Sequence, residues 1–206
     1  MSNDDDKPQE LVVRAKAELR KRLRGLRQTT PASACAKRSE RVVERLLAMD
    51  ELASATCVAL FWPIEQRHEV DLRPLDATLR TRGVKIAYPS VGDDRLTMTF
   101  RIAETSELVD DALGVRGAPA SLPEPPSLDV VVVPSLALDE TGRRLGYGAG
   151  YYDRALAGLT GAIKIGVAYD FQLLVEVPTL VGDVAMDWVV TDARSLRVAP
   201  SISTRG

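Results

Sequence analysis

Four consecutive valines, residues 130–133, constrain the fold of this chain more than any other feature of its sequence. Asp129 precedes the run and Pro134 ends it. A strand with no polar residue leaves neither of its faces to water, which is typical of parallel sheets covered by helices on both sides. The run therefore predicts a buried strand within a parallel sheet.

Segments with strand and helix patterns alternate on both sides of the valine run. Strands are predicted over 57–62, 84–88, 96–102, 163–168 and 188–191, and helices over 10–28, 33–49 and 72–82. This order predicts an α/β fold, a single domain with a largely parallel central sheet flanked by helices, plus a helical N-terminal arm. The domain is expected over 10–195, between a disordered tail at 1–9 and a C-terminal tail at 196–206.

Composition narrows the class of protein. The chain has 206 residues and a formal net charge of -2, which suits one domain and gives no general attraction to nucleic acid or membrane. No uncharged run approaches the roughly 20 residues that a membrane span requires, and the acidic N-terminus lacks an apolar signal core. We expect a cytoplasmic protein that binds small molecules, without nucleic-acid or membrane partners. A monomer is expected, with a dimer as the alternative.

The segment 143–153 carries the clearest functional signal. Its glycines alternate at 146, 148 and 150, Arg144 precedes them and Asp153 follows. Glycine allows positive φ and lets backbone N–H groups approach an anion, arginine matches phosphate oxygens, and a carboxylate is a ligand for Mg²⁺. Helical spacing after Gly150 would place the loop at a helix N-terminus. We interpret the segment as a phosphate-binding loop, although it matches neither the P-loop nor the dinucleotide fingerprint and a plain turn is the alternative.

Basic residues follow one side of the first predicted helix. Lys16, Arg20, Arg24 and Arg27 lie four, four and three residues apart, beside the apolar stripe. The pattern fits a solvated basic face, an RNA-binding arm, or additional phosphate ligands placed over the glycine loop. The helix contains no aromatic residue, which disfavours the RNA-binding interpretation.

Acidic residues stand at two further places. Glu69 follows the predicted strand 57–62, at the sheet edge where ligands bind in α/β folds. Asp71 is interpreted as a helix N-cap instead. Asp183 and Asp187 precede the last predicted strand, where they fit either a turn or, for Asp183, a metal site shared with Asp153.

Cysteine and histidine chemistry is largely excluded. Cys35 and Cys57 lack metal-site spacing, and Cys57 is interpreted as a core residue. His68 is the single histidine, and no nucleophile elbow accompanies it. Any reaction must therefore depend on carboxylates, basic groups, tyrosines or a bound cofactor.

Together these segments resemble the 5-formyltetrahydrofolate cyclo-ligase family, also called methenyltetrahydrofolate synthetase. The resemblance rests on residues 144–153 after the valine run, on Lys16-x-x-Leu19-Arg20, on residues 61–64 followed by Glu69, and on residues 183–192. It spans nearly all of 14–192. The glycine segment is specific, and the other pieces occur in the expected order.

The resemblance implies an enzyme that uses ATP as co-substrate and Mg²⁺ as cofactor. Its reaction would phosphorylate the formyl oxygen of 5-formyltetrahydrofolate and close the ring through N10, giving 5,10-methenyltetrahydrofolate, ADP and phosphate. The implied catalytic residues are Lys16, Glu69 and Arg144, and the metal ligands are Asp153 and Asp183. The implied ATP contacts are Lys16, Arg20, Arg144, Leu145, Gly146, Tyr147, Gly148, Ala149, Gly150, Tyr151 and Tyr152. The implied folate contacts are Ile64, Glu69, Tyr147, Gly148, Ala149, Gly150 and Tyr151.

The chain also departs from the family pattern. The loop before Glu69 is about two residues longer, Gly182 replaces a common polar residue, and Ala149 stands where glycine or lysine is common. Residues 98–117 lack a frequent tryptophan and a Gly-hydrophobic-Glu-Pro ending, and this departure is expected to act on the folate pocket. The alternative function is therefore a nucleotide-binding relative with a changed substrate or a non-catalytic regulatory role.

Overall fold

The structure, a computed structural model, describes residues 6–110 and 115–199. Its helices are α1 (Asp6–Thr29), α2 (Ala32–Leu47), α3 (Asp50–Ala53), α4 (Arg73–Thr81) and α5 (Tyr151–Ala157). Its first six strands are β1 (Cys57–Ala59), β2 (Lys85–Val91), β3 (Met98–Ile102), β4 (Val109–Asp110), β5 (Arg116–Gly117) and β6 (Val130–Pro134). The others are β7 (Ala137–Asp139), β8 (Arg144–Leu145), β9 (Ile163–Val167), β10 (Leu173–Leu174), β11 (Trp188–Val190) and β12 (Ser195–Arg197).

Seven strands form the central sheet in the order β12, β11, β9, β6, β1, β2, β3. The five inner strands run parallel, while β3 and β12 pair antiparallel at the two edges. The valine run forms β6, between β1 and β9, and all four valines are buried. The predicted α/β class, the largely parallel sheet and the helical N-terminal arm are confirmed.

Alternate valines of β6 enter two different cores. Val130 and Val132 pack in a cluster that also contains residues of α2 and α4, such as Val42 and Leu75. Val131 and Val133 pack on the other face, in a cluster that includes Leu156 of α5. Because successive side chains of a strand point to opposite faces, this distribution explains why the run contains no polar residue.

A short hairpin separates the valine strand from the glycine segment. Strands β7 and β8 pair antiparallel, and β10 joins β7 to make a three-stranded sheet. This hairpin is not among the elements predicted from the sequence, because strands of three and two residues carry too little periodicity to detect. The hairpin gives α1 its apolar partner, since Leu23 packs in a small cluster with Ala137, Leu145 and Val177.

Several predicted boundaries differ from the observed ones. Helix α1 begins at Asp6, so residues 6–9 are helical rather than part of a tail, and β12 includes two residues of the expected C-terminal tail. Residues 1–5 and 200–206 of those tails lie outside the described residues. The strand predicted over 57–62 ends at Ala59, and the residues after it turn toward a cavity. Within the described ranges, no helix is both long and apolar enough to cross a membrane.

Candidate active site

A cavity of about 790 Å³ opens where β1 and β6 lie side by side. Chain order reverses at this point, since β2 and β3 follow β1 to one side and β9 and β11 follow β6 to the other. The walls include residues at or after the carboxyl ends of three strands, namely Trp62, Val91 and Pro134. Open α/β sheets bind their ligands in such crevices.

Nearly all of the site residues predicted from the sequence line this cavity. They are Lys16, Arg20, Ile64, Glu69, Arg144, Gly146, Tyr147, Gly148, Ala149, Gly150, Tyr151, Tyr152, Asp153 and Asp183. Leu145 does not, because it is fully buried in the small cluster beneath α1 and its backbone pairs with Ala137 in the hairpin. The fold therefore brings together residues that are up to 167 positions apart in sequence.

Helix α1 is held over the glycine segment by its basic side chains. Arg20 Nε donates to the carbonyl oxygen of Gly146 at 2.9 Å, and an Arg24 amino group donates to that of Tyr147 at 2.9 Å. Lys16 is buried and donates to Asp183. These side chains lie along one side of the helix because their spacing of four residues is close to one turn. We call Lys16, Arg20, Arg24 and Arg27 the basic ridge. Because its side chains contact the glycine segment and Asp183, the ridge is not a fully solvated face.

The glycine segment depends on an unusual backbone conformation at Gly148. Its φ is +111°, and Gly150, the residue before α5, has a φ of +69°. Residues with a Cβ rarely adopt such angles, so the alternation of glycines reflects the path of the chain. The Arg20 guanidinium lies 3.5 Å from where a Cβ of Gly148 would stand, and the burial of Arg20 followed by the nearby charge of Arg24 lowers the pKa of Arg20.

Arg144 is a buried cation in the cavity wall. One of its amino groups donates to Asp153 at 3.0 Å, and its guanidinium carbon lies 5.6 Å from the centre of the Tyr152 ring. Its Nε atom is buried and forms no hydrogen bond. Asp153 also accepts from the N–H of Val184 at 3.3 Å. A buried guanidinium with an unused donor is suited to an additional anion in the cavity.

Glu69 lies deep in the cavity at the centre of a hydrogen-bonded cluster. One carboxylate oxygen accepts from the backbone N–H of Ile64 at 2.9 Å, and the other accepts from the hydroxyl of Tyr147. That hydroxyl also accepts from Arg27, whose guanidinium lies 3.9 Å from Glu69. Burial, followed by the charge of Glu69, raises the pKa of Tyr147, so the phenol stays protonated and donates to the carboxylate.

Two half-buried carboxylates, Asp153 and Asp183, lie in the cavity wall beside cations. Asp153 faces Arg144, while Asp183 accepts from Lys16 and from the backbone N–H of Leu180 at 2.7 Å. The part of the chain that the structure describes contains no group of three or more histidine, cysteine or acidic residues arranged around a metal ion. Two carboxylates facing one cavity can still supply two oxygen ligands to a cation whose other ligands come from a substrate.

Some cavity residues were missed as site residues by the sequence analysis. Arg27 and Arg24 belong to the basic ridge, but their contacts with Tyr147 could not be inferred from spacing. The guanidinium carbons of Arg24, Arg27 and Arg67 lie 5.6, 5.6 and 5.1 Å from the centre of the Tyr147 ring. Trp62 and Arg116 also line the cavity, and no sequence pattern marked Arg116.

Comparison with known proteins is consistent with this geometry. The model of the 5-formyltetrahydrofolate cyclo-ligase family matches residues 12–192. The 5-formyltetrahydrofolate cyclo-ligase of Mycolicibacterium smegmatis is 36% identical over 133 residues, covering 58% of this chain and 66% of the relative. The enzyme of the same name from Escherichia coli K12 is 29% identical over 164 residues, covering 75% of this chain and 88% of the relative.

Two solved structures share the fold. The 5,10-methenyltetrahydrofolate synthetase of Aquifex aeolicus superposes with a TM-score of 0.79 and 30% identity, covering 93% of this chain and 96% of the other. The synthetase of Mycoplasma pneumoniae superposes with a TM-score of 0.70 and 27% identity, covering 86% of this chain and 98% of the other. The single-domain α/β architecture is therefore shared over almost the whole length of these chains.

Proposed function

This chain belongs to the 5-formyltetrahydrofolate cyclo-ligase family, and we propose that it converts 5-formyltetrahydrofolate into 5,10-methenyltetrahydrofolate while ATP becomes ADP and phosphate. One observation carries the proposal. The glycine segment, three cations and a buried carboxylate line the same cavity, so a triphosphate and a folate would meet there. The cations are Lys16, Arg20 and Arg144, and the carboxylate is Glu69.

The proposed reaction requires no nucleophile from the protein. The formyl oxygen attacks the γ-phosphorus of ATP and ADP departs. N10 then attacks the activated carbon and loses its proton, and the phosphate leaves with the former formyl oxygen as the ring closes. The protein must hold the reactants in line and neutralise charge on the transferring phosphoryl group. The scarcity of histidine and cysteine in the chain agrees with this requirement.

Cations and backbone donors of the cavity suit the phosphates of ATP. We propose that Arg20, Arg144, Lys16 and the backbone from Gly146 to Tyr152 bind them, without the participation of the buried Leu145 side chain. Lys16 and Arg144 each have a carboxylate partner in this structure. On ATP binding these cations would share their charge with phosphate oxygens, which releases the carboxylates for another role.

Asp153 and Asp183 are the proposed ligands of Mg²⁺. Both offer oxygen donors on the cavity wall, and Mg²⁺ in nucleotide enzymes is commonly held by one or two carboxylates together with substrate phosphates. When bound, the ion would offset negative charge on the phosphates. The residues present therefore fit the cofactor, because a larger protein-only ligand set is not needed.

Glu69 is the proposed anchor of the folate. Its carboxylate is buried, oriented by the N–H of Ile64, and within reach of Tyr147 and Arg27. Such a carboxylate can accept hydrogen bonds from the amino and N–H groups of a pterin ring, and Ile64 and Tyr151 extend the same wall.

A direct spectrophotometric assay tests the proposed function. Purified protein with ATP, Mg²⁺ and 5-formyltetrahydrofolate is expected to develop the near-ultraviolet absorbance of 5,10-methenyltetrahydrofolate, with one ADP released per turnover. Omitting ATP should abolish the signal. Calorimetric binding of nucleotide without product formation or folate binding would instead favour a relative with a changed substrate or a regulatory role.

A further inference from the structure

Arg116 is a cavity cation that forms no ion pair with an acidic side chain of the described residues. Its guanidinium carbon lies 5.4 Å from the centre of the Trp62 ring. Its Nε atom is buried and forms no hydrogen bond. Across residues 6–110 and 115–199, no acidic side chain forms an ion pair with it, whereas Lys16 and Arg144 pair with Asp183 and Asp153. A half-buried guanidinium on a cavity wall, with no ion-pair partner among the residues that the structure describes, is suited to an anionic group of a ligand.

The backbone holds Arg116 in this position. Strand β5 passes so close to β2 that a Cβ at Gly117 would stand 2.4 Å from the carbonyl oxygen of Pro89. That oxygen accepts from the N–H of Ala118 at 2.9 Å. The Trp62 ring is in turn supported by Tyr88, with 6.2 Å between ring centres. The guanidinium is therefore placed on its aromatic support before any ligand arrives, which limits the entropy lost on binding.

The side chains that accompany Arg116 in this wall are apolar. Trp62, Pro89, Val91 and Met98 line the same cavity. Phosphates already have the glycine segment and its cations, so the Arg116 wall fits a different group, one that combines a flat apolar ring with a carboxylate. Folates contain such a group, because a benzoyl ring is joined to a glutamate with two carboxylates.

We propose that Arg116, supported by Trp62, binds a carboxylate of the glutamate portion of 5-formyltetrahydrofolate and so determines specificity for the substrate. The inference rests on the proposed function, and it assigns the Gly117 region, where the chain departs from the family pattern, to recognition of the substrate tail. Arg116 acts in binding and does not touch the reacting formyl group.

The test compares two substrates and two proteins. One substrate is 5-formyltetrahydrofolate, and the other is the corresponding 5-formyltetrahydropteroic acid methylamide, in which a methyl group replaces the glutamate. For the natural protein, we expect removal of the glutamate to weaken binding and raise KM about tenfold, the size expected for a charge-assisted hydrogen bond. Arg116→Gln should raise KM for the intact substrate by a similar factor and should barely distinguish the two compounds. For Arg116→Gln, both kcat and the KM for ATP should stay within about twofold of the values for the natural protein.

Control variants separate recognition from folding. Arg82→Ala removes an exposed arginine after α4 and should leave both KM values unchanged. Arg116→Lys keeps the charge but loses the flat, forked geometry, so it should recover only part of the discrimination. Thermal unfolding of each variant is recorded beside its kinetics.

Two results would overturn the inference. One is that Arg116→Gln discriminates between the two substrates as strongly as the natural protein does, and the other is that it raises KM for ATP instead of KM for the folate. Equilibrium binding of both compounds by calorimetry keeps the test independent of turnover. Absence of product from the natural protein would reject the proposed activity, whereas an active protein with an unaltered Arg116→Gln profile would reject only the role of Arg116.

Discussion

At the scale of single residues, the cavity is organised by pairs of opposite charge. Lys16 with Asp183 and Arg144 with Asp153 form ion pairs, and Arg27 approaches Glu69 through the hydroxyl of Tyr147. Buried pairs of this kind contribute little net stability, because desolvation offsets much of their attraction. Their arrangement around a cavity is better explained by charged ligands that can exchange places with one partner of each pair.

Arg144→Ala is expected to lower turnover far more than it lowers folding stability. The variant loses a preorganised positive charge that would stabilise the transferring phosphoryl group, and this loss should reduce kcat by about 100-fold or more. The neighbouring Arg143→Ala is the matched control, because Arg143 forms an exposed ion pair with Glu176, and such pairs contribute only about 0–1 kcal/mol. Kinetics and urea unfolding of both variants decide the matter. A similar loss of turnover and stability in Arg144→Ala would mark the residue as structural.

Glu69→Gln is expected to weaken folate binding and to spare ATP. Glutamine retains an oxygen for the N–H of Ile64 but loses the negative charge, so KM for the folate should rise about tenfold. Glu65→Gln, in the same loop, changes an exposed carboxylate paired with Arg73 and should have no such effect. Separate KM values for the two substrates provide the measurement. If ATP binding weakened while folate binding did not, the two halves of the cavity would have been assigned in reverse.

At the scale of elements, α1 and the glycine segment form one unit. The arm contributes Leu23 to a small cluster with residues of the β7–β8 hairpin, and Arg20 and Arg24 donate to carbonyls of the segment. Among the side chains of α1 that the structure describes, none belongs to the two large cores. Docking of the arm therefore depends on few buried apolar contacts, which is typical of elements that open locally.

Leu23→Ala is expected to loosen α1 without unfolding the sheet. Removing a buried leucine costs about 2–5 kcal/mol, and here the loss falls on the docking of one helix. Faster amide hydrogen exchange in α1 and a higher KM for ATP should result. Leu26→Ala, at a residue that is 43% exposed, is the control and should cost less than about 0.5 kcal/mol. Equal loss of protection in α1 and in the central strands would contradict local undocking.

At the scale of the whole molecule, the parallel sheet is tied together where β6 begins. One oxygen of Asp129 accepts from the N–H groups of Thr56 and Cys57 and from the Thr56 hydroxyl, at 2.7–2.9 Å. These hydrogen bonds lower the pKa of Asp129, and the two backbone donors have the largest effect. The carboxylate thus links the loop before β6 to the start of β1 in the middle of the sheet.

Asp129→Asn is expected to destabilise the protein in a pH-dependent way. Because the folded-state pKa of Asp129 lies below its unfolded value, its contribution is complete above about pH 4, the ordinary range of an aspartate, and is lost as pH falls through the folded value. The free energies of unfolding of the natural protein and the variant, measured in urea, should therefore differ at pH 7 and become equal in strong acid. Asp93→Asn, an exposed position in the β2–β3 turn, should show little difference at either pH. If the difference in free energy of unfolding were the same at all pH values, the carboxylate charge of Asp129 would not be the cause of the destabilisation.

Residue patterns near one another in sequence predicted much of the fold and part of the candidate site. The valine run required a strand buried on both faces, and the basic ridge of α1 followed from a spacing of three and four residues. The glycine segment could be recognised because its backbone needs positive φ at Gly148 and Gly150. In each case the physical constraint acts within a few residues, so the local sequence alone is enough to predict the feature.

Only the tertiary structure decided which distant groups meet. The packing of Leu145 with Leu23 of α1, the approach of Arg27 to Glu69 through Tyr147, and the stacking of Arg116 on Trp62 all join segments far apart in the chain. A one-residue change in strand register or helix phase would separate these groups. The sequence by itself therefore determined the class of sheet, the arm and the glycine segment, while packing of the two cores and the hairpin determined the shape and charge of the cavity.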